Sequence, residues 1–206
     1  MKYTVFLSTD MRHLATIFVL SIISFQAFGQ KVENIPDFTL KDVISGKNIS
    51  FYSYKKNKAV VVIFTSNYCP YSKLYENRIN DLVEEYSSQG VGFLLVNSNN
   101  SSLSKDESIV KMIMKAKESK FSVPYLADKQ LTAKRIFQAE KTPEAFVVTE
   151  VKGELTAVYR GAIDDNPQSP DEVEENYIKL ALNNLLQNKV SPVTFNRPTG
   201  CRIKTD

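Results

Sequence analysis

Ala59 to Phe64 (AVVVIF) is an unbroken apolar run, followed at once by the polar segment Thr65-Ser66-Asn67-Tyr68 and then by Cys69-Pro70. A run this apolar and this rich in valine and isoleucine suits a strand buried on both faces, as in a sheet covered by helices. A helical pattern begins just after it, with Pro70 at the first helical position, where its missing N–H is not needed. Cys69 therefore stands where a buried strand hands over to a helix N-terminus. Unpaired N–H groups and the helix dipole favour a thiolate there. Most cysteines are inert core residues. A polar strand-to-helix loop in an open α/β sheet is instead where function collects, so Cys69 is expected to be a presented, reactive thiol.

Residues 1–29 are expected to be removed. Arg12 and His13 precede the apolar stretch Leu14 to Phe25, and small residues follow at Ala27 and Gly29. This is the order of a secretory signal peptide, and the stretch falls short of the roughly 20 apolar residues of a membrane span. Met11 offers an alternative start, and the absence of a cysteine near Gly29 argues against a lipid anchor there. The protein is then exported, periplasmic or secreted, with no stable membrane insertion once the leader is gone.

His13 is the only histidine, so the chain after the leader has none. That excludes Ser-His-Asp and Cys-His catalysis, His-ligated metals and haem attachment through C-x-x-C-H. The two cysteines, Cys69 and Cys201, are too few for a thiolate zinc site, and no Gly-rich phosphate loop is present. The net charge of +3 is spread along the chain, without the basic cluster of a nucleic-acid binder. No cofactor or metal is expected. Thiols, carboxylates, lysines and hydroxyls remain for chemistry.

Residues 30–189 fit one domain and residues 190–206, with Pro192 and Pro198, an extended tail. A strand at Pro36–Lys41 and a turn at Ser45–Asn48 lead to a return strand or helical turn at Ile49–Tyr54. After the Ala59–Thr65 strand, Tyr75, Ile79, Leu82, Val83 and Tyr86 mark one amphipathic helix from Pro70 to Tyr86, stopped by Gly90. Val91 to Val96 is a second buried strand, closed by a polar loop. Ser104-x-x-Glu107 reads as a capping box opening a helix to about Lys117. A loop with Pro124 follows, and Asp128 caps a helix to about Gln138. Glu144–Thr149 and Leu155–Arg160 form a hairpin about Lys152-Gly153. Ser169-Pro170-Asp171-Glu172 opens a last helix to about Leu186. Asp164-Asp165 is expected to be a solvated loop, lacking the spaced oxygen ligands of a calcium site. The economical packing is a mixed sheet with helices on both faces.

Strand, cysteine at a helix start, strand, helix, then Thr142-Pro143 opening a hairpin resembles the thioredoxin-like fold. The N-terminal IPDFTLKD, the insertion around residues 98–127 and Tyr159-Arg160-Gly161 resemble its redoxin branch, the peroxiredoxin-like group of alkyl hydroperoxide reductase and thiol-specific antioxidant proteins. Closer still is a peroxiredoxin-like group with features matched here by Asn67-Tyr68-Cys69-Pro70-Tyr71, Asn97-Ser98-Asn99 and Gly200-Cys201-Arg202-Ile203-Lys204. The resemblance spans Ile35 to Lys204. It implies a thioredoxin-like α/β fold with an N-terminal β-hairpin extension and a C-terminal extended tail. It also implies a cis bond before Pro143, with that proline facing the active-site cysteine. Two departures stand out: Ser72 replaces the second cysteine of Cys-x-x-Cys, and Val62 replaces the proline of the peroxiredoxin motif, although Ser66 matches its hydroxyl.

On this reading Cys69 is the nucleophile, attacking a disulfide or a peroxide to give a mixed disulfide or a sulfenic acid. With no histidine to assist, helix N–H groups and the Ser66 or Ser72 hydroxyls are expected to support its thiolate. Thr142 and Pro143 border the site. Tyr68, Pro70 and Tyr71 are expected at the substrate, Tyr71 lining a groove, and Arg160 is a candidate neighbour of the thiolate, though an ordinary surface arginine is the simpler expectation. Cys201 is the only thiol that could resolve the intermediate, and the tail is expected to fold back so that the two cysteines pair. A cycling pair, a permanent staple and an unpaired Cys201 remain open. The expected partners are a thiol or disulfide protein, or a small peroxide, and a separate reductant. Two other functions fit the sequence: a redox-silent module holding extended peptides beside Pro143, and a single-thiol glutathione-linked enzyme.

Overall fold

A computed structural model describes residues 32–205, so the expected leader lies outside the described residues. Thr39–Asp42 (β1) and Asn48–Ser50 (β2) pair antiparallel and are followed by a 3-10 turn at Phe51–Tyr54. Ala59–Phe64 (β3) is buried at every position. The expected single helix is two: Pro70–Leu74 (α1) and Glu76–Ser87 (α2). At the break, the Tyr75 N–H bonds Ser72 O and Lys73 O, which tightens the turn, and its hydroxyl donates to Asp164 at 2.6 Å. Val91–Asn97 (β4) is fully buried, and Ile109–Glu118 (α3) follows a 3-10 turn at Lys105–Glu107. Tyr125–Ala127 (β5), expected as loop, is a three-residue strand. Thr132–Phe137 (α4) is held as expected by Asp128, whose carboxylate accepts from Thr132 N at 2.7 Å and Lys134 N at 2.9 Å.

Lys141–Thr142 (β6) leads through a cis Thr142-Pro143 bond into the hairpin Glu144–Val151 (β7) and Glu154–Gly161 (β8). The last helix, Tyr177–Leu186 (α5), starts later than Ser169-Pro170 implied, with the Asn176 side chain accepting from Lys179 N. Asp165 explains the delay: its carboxylate takes the N–H groups of Glu174 and Glu175, so only a 3-10 turn forms at Pro170–Glu172. The tail contributes Phe195–Asn196 (β9) and Cys201–Arg202 (β10).

Among the described residues the main sheet has eight strands in the order β2-β1-β5-β4-β3-β7-β8-β9, and a second, two-stranded sheet joins β10 to β6. β3–β4 and β4–β5 are parallel, while β3–β7 and β7–β8 are antiparallel. This is the mixed thioredoxin-like sheet that the resemblance implied. The alternation of β3 serves two cores. Val61 and Ile63 pack with Ile79, Leu82, Met112 and Leu182 from α2, α3 and α5, whereas Val62 and Phe64 pack with Phe51, Phe137 and Phe146. Each such side chain contributes about 1.5–3 kcal/mol. Val62 is therefore core.

Buried phenols set the alkaline limit of this fold. Desolvation pushes Tyr86 up to about 12 and raises Tyr75, Tyr125 and Tyr159 as well. An unfolded tyrosine ionises near pH 10, so the stability these groups contribute is complete below about 10; the share of Tyr86 is lost as pH rises through about 12, and those of the others at higher pH. Urea midpoints at about pH 9 and about pH 11.5 are expected to fall with pH; equal midpoints would show that the phenols ionise alike in both states.

Candidate functional site

Cys69 and Cys201 form a disulfide between residues 132 apart in sequence, with Cα atoms 6.0 Å apart. The tail reaches Cys69 as a strand: β10 pairs antiparallel with β6, Cys201 opposite Thr142, immediately before cis-Pro143. Cys69 Sγ lies 3.1 Å from the Thr142 carbonyl oxygen. The expected presentation of Cys69 does not hold in this state, since the tail covers it and it is only 3% exposed. Cys201 is partly exposed.

Several bonds seat the tail. Ile203 N donates to Glu140 O at 2.9 Å, and the Ile203 side chain is buried in the second core. Lys204 N donates to Asn99 Oδ1 at 3.0 Å and Lys204 O accepts from Asn100 N at 2.8 Å. Gly200 crosses so close to Thr142 that a Cβ there would overlap its carbonyl group. The Asn97-Ser98-Asn99 segment thus holds the tail, and it is tied in turn to β4 and α4 by Asn97 Oδ1 accepting from Asn99 N and by Ser98 donating to Asp128.

The loop before Cys69 is governed by Glu107, which sequence reasoning assigned to a helix cap. Ser108 caps α3 instead, accepting from Lys111 N. Glu107 is 2% exposed and turns inward. Its carboxylate accepts from Ser66 Oγ at 2.5 Å, Asn97 Nδ2 at 2.7 Å, Asn67 N at 3.1 Å and Tyr68 N at 3.3 Å. Ser66 in turn accepts from Cys69 N at 3.0 Å, so its hydroxyl orients the backbone and is not aimed at the sulfur. A partial signal was present, since Glu107 closes a Ser-x-x-Glu pattern; its inward turn depends on donors distant in sequence. The Ser72 and Thr142 hydroxyls are buried without a hydrogen-bond partner.

Tyr68 is 65% exposed and lines, with Cys69, Pro70, Lys73, Asp106 and Met114, a groove of about 510 Å³. Tyr71 is half-buried and does not line that groove. Arg160 is turned elsewhere: it pairs with Glu144 at 3.0 Å and packs over Phe146. Glu144 also accepts from Glu140 N at 2.8 Å and Lys141 N at 3.1 Å, fixing the corner that carries β6. Asp164 is not solvated as expected. It is 2% exposed and pairs with Arg78 at 2.7 Å.

Solved structures share the overall fold. The chain is similar to an uncharacterized conserved protein from Geobacillus kaustophilus, with 28% identity, a TM-score of 0.77, and 89% of this chain and 94% of that one covered. It is similar to a hypothetical protein from Sinorhizobium meliloti 1021, with 26% identity, a TM-score of 0.76, and 84% and 93% covered. A putative thiol:disulfide interchange protein DsbE from Chlorobium tepidum shares the fold at 15% identity and a TM-score of 0.55, with 77% and 96% covered. No curated protein matches the sequence. The AhpC/TSA family model matches residues 32–158, more than half of the chain. With its thiol pair at the cis-proline corner of a redoxin sheet, the chain belongs to the AhpC/TSA family.

Proposed function

We propose that this protein is an exported thiol-dependent oxidoreductase in which Cys69 is the nucleophile and Cys201 the resolving thiol. The observation that carries the reading is the disulfide joining Cys69 to a tail strand seated beside cis-Pro143. The reduced Cys69 thiolate attacks a substrate disulfide, forming a mixed disulfide and releasing one substrate thiolate. Cys201 then attacks Cys69 Sγ, forming the intramolecular disulfide and releasing the second thiolate. An external dithiol returns both cysteines to thiols.

Disulfide exchange is favoured over peroxide reduction. A peroxidatic thiol works beside donors that polarise the peroxide oxygens, whereas here Arg160 is paired with Glu144 and Ser66 donates to Glu107. In this reading Tyr68, Pro70 and the groove beside them meet the substrate, and the buried Ser72 and Thr142 hydroxyls border the sulfur. Export rests on the leader read at residues 1–29.

The test is trapping. Cys201→Ser in the reduced full chain is expected to accumulate mixed disulfides on Cys69 with exported thiol proteins, resolved by mass spectrometry, and Cys69→Ser to accumulate none. Capture of glutathione alone would favour the single-thiol alternative. Loss of no partner on Cys69→Ser would favour a redox-silent binding module.

A further inference from the structure

The loop that delivers Cys69 commits its own backbone N–H groups away from the sulfur. The backbone N–H groups of Asn67 and Tyr68 donate to the Glu107 carboxylate, and that of Cys69 donates to Ser66 Oγ, itself bonded to Glu107. All three would otherwise be available to an anion at a strand-to-helix junction. Cys69 is the N-cap of α1, yet its side chain accepts no hydrogen bond from the first turn, and Pro70 has no N–H to give. The sulfur faces the Thr142 carbonyl oxygen at 3.1 Å, whose lone pairs oppose a thiolate.

Glu107 adds negative charge one hydroxyl away from the Cys69 backbone. Its four hydrogen-bond partners all donate to it. Other charged groups surround the sulfur. Lys73 of α1, Asp106 of the turn, and Lys111, Lys115 and Glu118 of α3 line the groove. Lys115 pairs with Glu76, and Lys204 lies 5.8 Å over the Tyr68 ring. Lys141 and Arg202 flank Thr142 and Cys201 on β6 and β10, where Lys141 donates to Gly200 O. Glu144 is paired with Arg160. The Lys129 ammonium donates to the backbone carbonyls of Glu107 and Asn99, not to the carboxylate.

We propose that Glu107 is a positioning residue which, through Ser66 and the backbone of residues 67–69, keeps the Cys69 thiolate poorly stabilised and so holds the Cys69–Cys201 couple toward the disulfide. This deepens the oxidoreductase reading and rests on it. A couple whose thiolate is stabilised is oxidising, because its reduced form is favoured. A couple denied that stabilisation is reducing, and the reduced protein then acts as an electron donor to substrate disulfides.

Two variants of the full chain test this, Glu107→Gln and Ser66→Ala. One measurement is the pH profile of Cys69 alkylation by iodoacetamide, made in a Cys201→Ser background. The other is the equilibrium with dithiothreitol, in which the protein disulfide gains two electrons and two protons to become two thiols while the dithiol becomes a cyclic disulfide. Glu107→Gln is expected to lower the alkylation midpoint by about one pH unit. At a pH above both alkylation midpoints, where Cys69 is ionised in both proteins, it is also expected to shift the equilibrium about tenfold toward the protein dithiol, about 30 mV for this two-electron couple. Ser66→Ala, which frees the Cys69 N–H and leaves the other three Glu107 bonds, moves both in the same direction by less. Should Glu107→Gln fail to fold, Ser66→Ala decides on the same readouts. Folded variants with unmoved or oppositely moved values overturn the proposal alone. A wild-type disulfide that no dithiol reduces overturns the oxidoreductase reading and this proposal with it.

Discussion

Reduction of the Cys69–Cys201 bond is expected to lower the melting temperature of the full chain by about 10–20 °C. The bond joins residues 132 apart, and cross-linking so long a loop removes about 5 kcal/mol of chain entropy from the unfolded state. A domain of this size loses about 2–4 °C for each kcal/mol. The bond also clamps the β6–β10 pairing, which is only a two-residue register. Thermal melts by circular dichroism with and without reductant check this, and Cys201→Ser should melt like the reduced protein without added reductant. Coincident melts would mean that the unfolded chain gains little freedom when the bridge opens. A large difference is compatible with cycling, provided that the reduced form stays folded at the working temperature.

Gly200→Ala is expected to slow formation of the disulfide about 5- to 150-fold, corresponding to an overpacking penalty of about 1–3 kcal/mol. A Cβ at position 200 would meet the carbonyl carbon and oxygen of Thr142 and the nitrogen of Pro143. These are backbone atoms at a corner held by Glu144, which accepts from Glu140 N and Lys141 N, so they cannot move aside as a flexible side chain would. The strand must lift, and Cys201 lifts with it. Rapid oxidation of the reduced chain followed by acid quench, alkylation and mass spectrometry gives the rate, with Thr199→Ala as the neighbouring control. Equal rates in Gly200→Ala and wild type would show that Cys201 finds Cys69 without the β6–β10 pairing.

Much of the site was legible because its signals are local. The β3 run, Pro70 at a helix start and Asp128 as a cap each act within a few residues of where they are read, and each appears as expected. Misreadings arose where a local pattern had a distant competitor. Ser104-x-x-Glu107 has the spacing of a capping box, but four donors from Ser66, Asn67, Tyr68 and Asn97 bind the carboxylate better than one helix N-terminus could. Ser169-Pro170 has the letters of a helix start, but Asp165 captures the N–H groups of Glu174 and Glu175 first. Tyr125–Ala127 is too short for a periodicity to register, and it becomes a strand because β4 and β1 supply its hydrogen bonds from either side.

By itself the sequence determined the layered α/β architecture, the placing of Cys69 at a strand-to-helix junction, and the fact that Cys201 is its only possible thiol partner. Those follow from chain-local hydrophobic pattern, turn chemistry and residue inventory. Only the tertiary structure decided that the tail pairs with β6 and covers the sulfur, and that Glu107 takes up the N–H groups beside it. The physical reason is that a buried hydrogen-bonding group takes whichever complementary partner the packed chain brings within about 3 Å. Sequence distance has no say in that choice.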